Sequence, residues 1–243
     1  TLTARSSNDT VANVYTSNNN LIIKEISCGT SDIIVTAKDE HGAKVKDTMN
    51  IIINSPPFIS STIEDTLINE GFQLFTMDIS SVFTDEDGDS LDISAKSLHD
   101  TVLIASASKD SLIIQETGCG SSKVILTGED KHGAKARDTM NIEVNTIPHL
   151  IYAVKDTLIN EGFGHFALDI SNIFADEDGD SLDISAKSLH DTVLIASASK
   201  DSLTIQESGW GTSSVLLTGQ DSHGAEKTDT INITVNARPI IKN

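Results

Sequence analysis

Asp138-Thr-Met-Asn-Ile-Glu-Val-Asn145 is the stretch that decides the fold. Met140, Ile142 and Val144 alternate with Thr139, Asn141 and Glu143, the period of two that marks a half-buried β-strand. The same pattern stands at Asp47–Asn54, with Met49, Ile51 and Ile53, and at Asp229–Asn236, with Ile231, Ile233 and Val235. The differences 138 − 47 and 229 − 138 are both 91, so a unit of 91 residues repeats along a chain of 243.

Working outward, Asp65–Phe72 recurs unchanged as Asp156–Phe163, and the 28 residues Asp85–Leu112 recur unchanged as Asp176–Leu203. The expected division is a partial repeat over 1–54 lacking its first strands, repeats over 55–145 and 146–236, and the start of a further repeat over 237–243. Asn54-Ser-Pro-Pro57, Asn145-Thr-Ile-Pro148 and Asn236-Ala-Arg-Pro239 mark the junctions. Completion of the first repeat by strands of another chain stays open beside a simple truncation.

Other stretches also alternate: Phe75, Met77 and Ile79; Leu91, Ile93 and Ala95; Leu112 and Ile114; Val124, Leu126 and Gly128. Asp-Gly, His-Gly, Lys-Asp-Ser and Gly-Cys-Gly punctuate them as turns, and no segment holds a helical period. About seven short strands per unit indicate an all-β chain of tandem immunoglobulin-like, seven-stranded antiparallel β-sandwiches. In such a sandwich the second–third and sixth–seventh strand loops share the N-terminal pole.

Composition sets the surface. Aromatics are 4% of residues, so the cores are built from Ile, Val, Leu and Ala. Thirty-six acidic residues against seventeen basic ones give a net charge of −19, which repels nucleic acid and anionic membranes and favours either cations or simply a solvated exterior. No apolar run reaches the length of a membrane-spanning helix.

Within Phe83-Thr-Asp-Glu-Asp-Gly-Asp-Ser-Leu91, the carboxylates Asp85, Asp87 and Asp89 stand at alternate positions around Gly88, and Asp176, Asp178 and Asp180 repeat them around Gly179. This suits a hard cation seeking about six to eight oxygens. Without one, the like charges repel. An EF-hand loop has glycine sixth and glutamate twelfth; here Gly88 is fourth and Lys96 twelfth. Asp130 and Asp221 open the sixth–seventh strand turn at the same pole, where they either reach that ion or bond their own backbone.

Phe-x-Asp-x-Asp-Gly-Asp-x-Leu, the upstream Asn69-Glu70-Gly71 and the downstream Asp130-Lys-His-Gly133 resemble the bacterial cadherin-like repeats of the dystroglycan-type cadherin family. The resemblance implies calcium near the repeat junctions, with Asp85 and Asp87, and Asp176 and Asp178, as ligands. It also implies a contribution from a glutamate of the first strand region, here Glu70 and Glu161. The acidic linker of animal cadherins is missing, so one ion per repeat is expected.

Cys28 and Cys119 occupy the same position in successive repeats, filled by Trp210 in the third. Such positions lie on the order of 30–45 Å apart at about 3.3 Å per strand residue, whereas a disulfide needs α-carbons within about 7 Å. They are expected to be free, semi-buried packing sites. Glu116 and Glu207 end the fifth strand at the opposite pole, where a solvated carboxylate is expected ahead of a bridge to the next repeat. His41, His132 and His223 precede glycine in every repeat, which points to turn geometry.

No nucleophile, zinc or phosphate-cradling motif is present, so the chain is read as non-enzymatic. The expected function is a calcium-stiffened structural or adhesive repeat of a large extracellular bacterial surface protein. The alternatives are a carbohydrate-binding module and a self-assembling filament or surface-layer subunit. Expected partners are neighbouring repeats, other copies of the chain or a surface polysaccharide, with no nucleic acid and no direct membrane insertion.

Overall fold

The computed structural model describes residues 1–108, 110–199 and 201–241. Lys109 and Lys200, which begin the Lys-Asp-Ser turns, and the last two residues lie outside the described residues.

The first set of strands is β1 (Leu2–Ser6), β2 (Ala12–Ser17), β3 (Asn20–Glu25), β4 (Gly29–Lys38) and β5 (Lys44–Ile53). The second is β6 (Phe58–Ile59), β7 (Thr66–Asn69), β8 (Leu74–Asp78), β9 (Phe83–Thr84), β10 (Asp92–Ser97), β11 (Leu103–Ala107), β12 (Ser111–Glu116), β13 (Gly120–Glu129) and β14 (Lys135–Asn145). The third repeats the second as β15 (His149–Leu150), β16 (Thr157–Asn160), β17 (His165–Asp169), β18 (Phe174–Ala175), β19 (Asp183–Ser188), β20 (Leu194–Ser199), β21 (Ser202–Glu207), β22 (Gly211–Gln220) and β23 (Glu226–Asn236).

Each complete set packs a four-stranded sheet on a three-stranded one. In the second the orders are β10-β13-β14-β7 and β11-β12-β8. The third has β19-β22-β23-β16 and β20-β21-β17. One ladder in each departs from the antiparallel expectation, because β7 runs parallel to β14 and β16 parallel to β23. A side-chain clamp anchors that edge: Asp65 accepts both the backbone N–H and the side-chain amide of Asn141, and Asp156 does the same with Asn232.

The alternating residues meet between the sheets. Leu112, Ile114, Val124, Leu126, Met140, Ile142 and Val144 form the core of the second repeat, and Ile68, Phe75 and Met77 pack against it. In the first repeat β1-β4-β5 faces the β2-β3 pair, and the buried cluster reduces to Ala12, Val14 and Ile33. Met49 is 45% exposed there, whereas its counterpart Met140 is 1% exposed beneath the neighbours supplied by β7 and β8.

A glycine seats the start of each acidic loop. The Phe83 ring lies on Gly128 of β13, where a Cβ would come within 2.9 Å of the ring, and Phe174 lies on Gly219 at the same separation. The alternation Val124–Leu126–Gly128 therefore ends in glycine to admit an aromatic anchor, and Asp85 follows two residues after that anchor.

Candidate metal centres at the repeat junctions

The loop after β9 is organised by its own first aspartate. Asp85 Oδ1 accepts the N–H groups of Asp87 (2.9 Å) and Asp89 (3.2 Å). Gly88 makes the bend at φ +74°, a left-handed conformation that suits glycine. One carboxylate oxygen each from Asp85, Asp87 and Asp89 then lies within 4.8 Å of the others. Asp85 Oδ2 and Asp89 Oδ2 are buried and find no hydrogen-bond donor among the described residues.

The junction residues close over this loop. Asp87 Oδ2 accepts the N–H of Ser55 at 2.8 Å. That bond, followed by one from the Cys28 thiol, holds the Asp87 carboxyl below the usual carboxylate range. Asp130, from the β13–β14 turn, accepts the N–H groups of His132 and Ala134 through Oδ1 and the Asn54 amide through Oδ2. Asp130 thus bonds its own turn, the second of the two readings, and its other oxygen faces the junction through Asn54. Asn54 Oδ1, beside it, is a further buried acceptor without a donor.

The next junction repeats the plan with additions. Asp178 Oδ2 accepts the N–H of Thr146 at 2.7 Å, and the Thr146 hydroxyl bridges Asp176 Oδ1 and the Asp178 N–H. Asp221 accepts His223 and Ala225 N–H groups through Oδ1 and the Asn145 amide through Oδ2. Asp176 Oδ2 is buried without a donor among the described residues. Asp180 is turned to His223 Nδ1 at 2.8 Å, and among the described residues no second trio reaches the 4.8 Å spacing.

Glu70 does not join the aspartates of its own repeat. It sits at the opposite pole, where Oε1 accepts the N–H of Ile147 at 2.9 Å and Oε2 accepts the Cys119 thiol at 3.1 Å. It thus shares the 145–147 junction with Asp176, Asp178 and Asp221. Glu161 stands likewise at the following junction, accepting the N–H of Arg238. The sequence names these glutamates; only the path of the chain places Glu70 at the junction that also carries the next acidic loop.

Two expectations are corrected. Glu116 and Glu207 are not free solvated carboxylates, because each accepts two backbone N–H groups, Gly71 and Gln73 or Gly162 and Gly164. They brace the short segment that carries Glu70 or Glu161. The cysteines are free, and Cys28 is half-buried as expected, whereas Cys119 is exposed and donates to Glu70 at the junction. Burial, then the bond to Glu70 and the charges of Glu70 and Asp178, push the Cys119 thiol up to about 12.

Sequence reasoning missed Asn54, Asn145, Thr146 and His223. The recurrence of asparagine at 54, 145 and 236 was the available signal. The contact of His223 with Asp180 had none.

The donor set consists of carboxylate and amide oxygens, several of them buried and unanswered. Buried anionic acceptors need a cation or a donor, so the residues present fit a hard, oxygen-seeking ion.

No family model and no curated protein matches the chain. Among solved structures, the I67–I69 fragment from the titin I-band is similar at a TM-score of 0.59 and 9% identity, over 98% of this chain and 88% of that one. The chain has the fold of tandem immunoglobulin-like sandwiches. An endo-fucoidan hydrolase of glycoside hydrolase family 107 aligns at 15% identity over 98% of this chain, with a TM-score of 0.33. This chain spans 39% of that one's length. The human desmocollin-1 ectodomain aligns at 11% identity over 98% of this chain and 54% of that one, with a TM-score of 0.35. Neither score carries an argument.

Proposed function

We propose that the chain is a calcium-stiffened structural or adhesive segment of an extracellular bacterial surface protein. The observation that carries this reading is the set of buried, unpartnered oxygens, Asn54 Oδ1, Asp85 Oδ2, Asp89 Oδ2 and Asp176 Oδ2, all at repeat junctions.

At the first junction Asp85, Asp87, Asp89 and Asp130 would hold the ion, with Asn54 from the preceding repeat. At the second, Asp176, Asp178, Asp180 and Asp221 would do so, with Glu70 from the preceding repeat. Calcium supplies the positive charge that lets these carboxylates stand together. The protein's own part is to bring ligands from two repeats to one point. Bending at the junction separates those ligands, so a bound ion resists bending. Stacked repeats extend reach without new chemistry, the behaviour of a stalk.

The test is small-angle scattering with thermal unfolding, in millimolar calcium and in chelator, for the native chain and an Asp87→Asn, Asp178→Asn double variant. The native chain is expected to become longer and more stable with calcium, and the double variant to respond to neither. A radius of gyration and a midpoint independent of calcium would refute the proposal.

A further inference from the structure

The two acidic loops are identical from Asp85 to Leu112 and from Asp176 to Leu203, but the turns that face them differ. After Asp130 comes Lys131; after Asp221, at the same position, comes Ser222. Lys131 Nζ reaches across the pole to Asp89 Oδ1 at 2.6 Å, and His132 Nε2 stands 3.9 Å from Asp89 Oδ2. An ammonium group on a tether therefore stands beside the trio whose oxygens gather within 4.8 Å. Among the described residues of the third repeat no ammonium takes that place: Ser222 Oγ faces His223, and His223 binds Asp180.

The lysine does not complete the first site. Asp85 is 9% exposed and the Asp89 side chain 6% exposed, yet Oδ2 of each has no donor among the described residues. The ammonium, on a side chain 60% exposed, answers one oxygen and leaves the others to a second cation. A divalent ion entering here must push the ammonium off Asp89 or bind against its repulsion. At Ser222 it meets no ammonium, and has only to draw Asp180 from the His223 imidazole.

We infer that Lys131 is a built-in competitor that weakens calcium binding at the first junction, so that the two junctions fill at different calcium concentrations. This rests on the calcium reading above. One unit charge a few ångströms from the ion, well exposed to water, amounts to on the order of tenfold in affinity. The effect fades as salt is added. The chain then stiffens in two steps, the Ser222 junction before the Lys131 junction.

The experiment is calorimetric titration of the full chain with calcium chloride at low and high salt. Asp178→Asn serves as the background that silences the second loop. In that background Lys131→Ser is expected to tighten the remaining site about tenfold at low salt, and Lys131→Arg, which keeps the charge, to leave it weak. In a background carrying Asp87→Asn, Ser222→Lys is expected to weaken the other site by a similar factor. Two calcium ions bound with affinities indifferent to these exchanges would overturn the inference while leaving the calcium reading intact. The absence of any calcium heat or calcium-dependent thermal shift in the native chain would overturn both.

Discussion

The junctions at 54–57 and 145–148 present identical acidic loops to different surroundings. At the second, Asn145 and Thr146 are buried, the Thr146 hydroxyl ties Asp176 to Asp178, and Ile147 gives its N–H to Glu70. At the first, Asn54 is half-buried, Ser55 gives only its N–H to Asp87, and Pro56 stands where Ile147 stands. Proline has no N–H to give, so the first junction cannot form the glutamate clamp whatever lies beside it. It also carries Lys131 against Asp89. An identical loop thus stands in two different surroundings, set by a few junction residues.

The largest expected effect tests whether the loops depend on their anchors. Gly128→Val or Gly219→Val drives a side chain into Phe83 or Phe174, where the first added carbon already lies 2.9 Å from the ring. Each is expected to cost about 1–3 kcal/mol in urea denaturation and to abolish calcium response in its own repeat only. Equal loss at both loops from a single variant would break the picture of two separate sites.

Calcium itself comes next. At roughly ten times Kd, each occupied site adds about 1.4 kcal/mol by mass action. Asp178→Asn is expected to remove more of the calcium-dependent rise in midpoint than Asp87→Asn, because the second junction has Glu70 and no lysine. A reversed order would show that the clamp contributes nothing to ion binding.

A proline exchange isolates the clamp. Ile147→Pro copies the first junction into the second and deletes the bond to Glu70, at an expected cost of about 0.5–1.5 kcal/mol for the lost hydrogen bond. Pro56→Ile is expected to change stability by no more than about 0.5 kcal/mol. Paired denaturation of the two variants checks the asymmetry.

The smallest difference between repeats is expected with acid. The Asn141 N–H holds Asp65 below the usual carboxylate range, and the Asn232 N–H does the same for Asp156. Groups depressed on folding stabilise the protein above their unfolded pKa, about 3.9, and lose that contribution as pH falls through the folded value. The melting midpoint in chelator is therefore expected to drop below about pH 4, alike in both complete repeats. The N–H groups of Gly162 and then Gly164 depress Glu207 in the same way. Glu207→Gln is accordingly expected to flatten part of this slope. A steep acid loss confined to one repeat would mean that its junction, and not these shared clamps, controls acid stability.

Much of the fold could be read from the chain because strand burial is a local pattern. Met140, Ile142 and Val144 point one way since side chains alternate along a strand, and the 91-residue recurrence carries that reading from repeat to repeat. The parallel β7–β14 ladder was not legible, since pairing direction depends on where the first strand crosses, not on which residues it contains. The site divides the same way. The carboxylates, the glycine bend and the repeating asparagine are written in the sequence, because liganding chemistry belongs to residue types. Which pole Glu70 faces, that Cys28 and Cys119 meet carboxylates, and that Lys131 reaches Asp89 while Ser222 leaves Asp180 to His223 were decided only by the tertiary structure. Those contacts join residues some forty or more positions apart, at ranges of a few ångströms that no local pattern records.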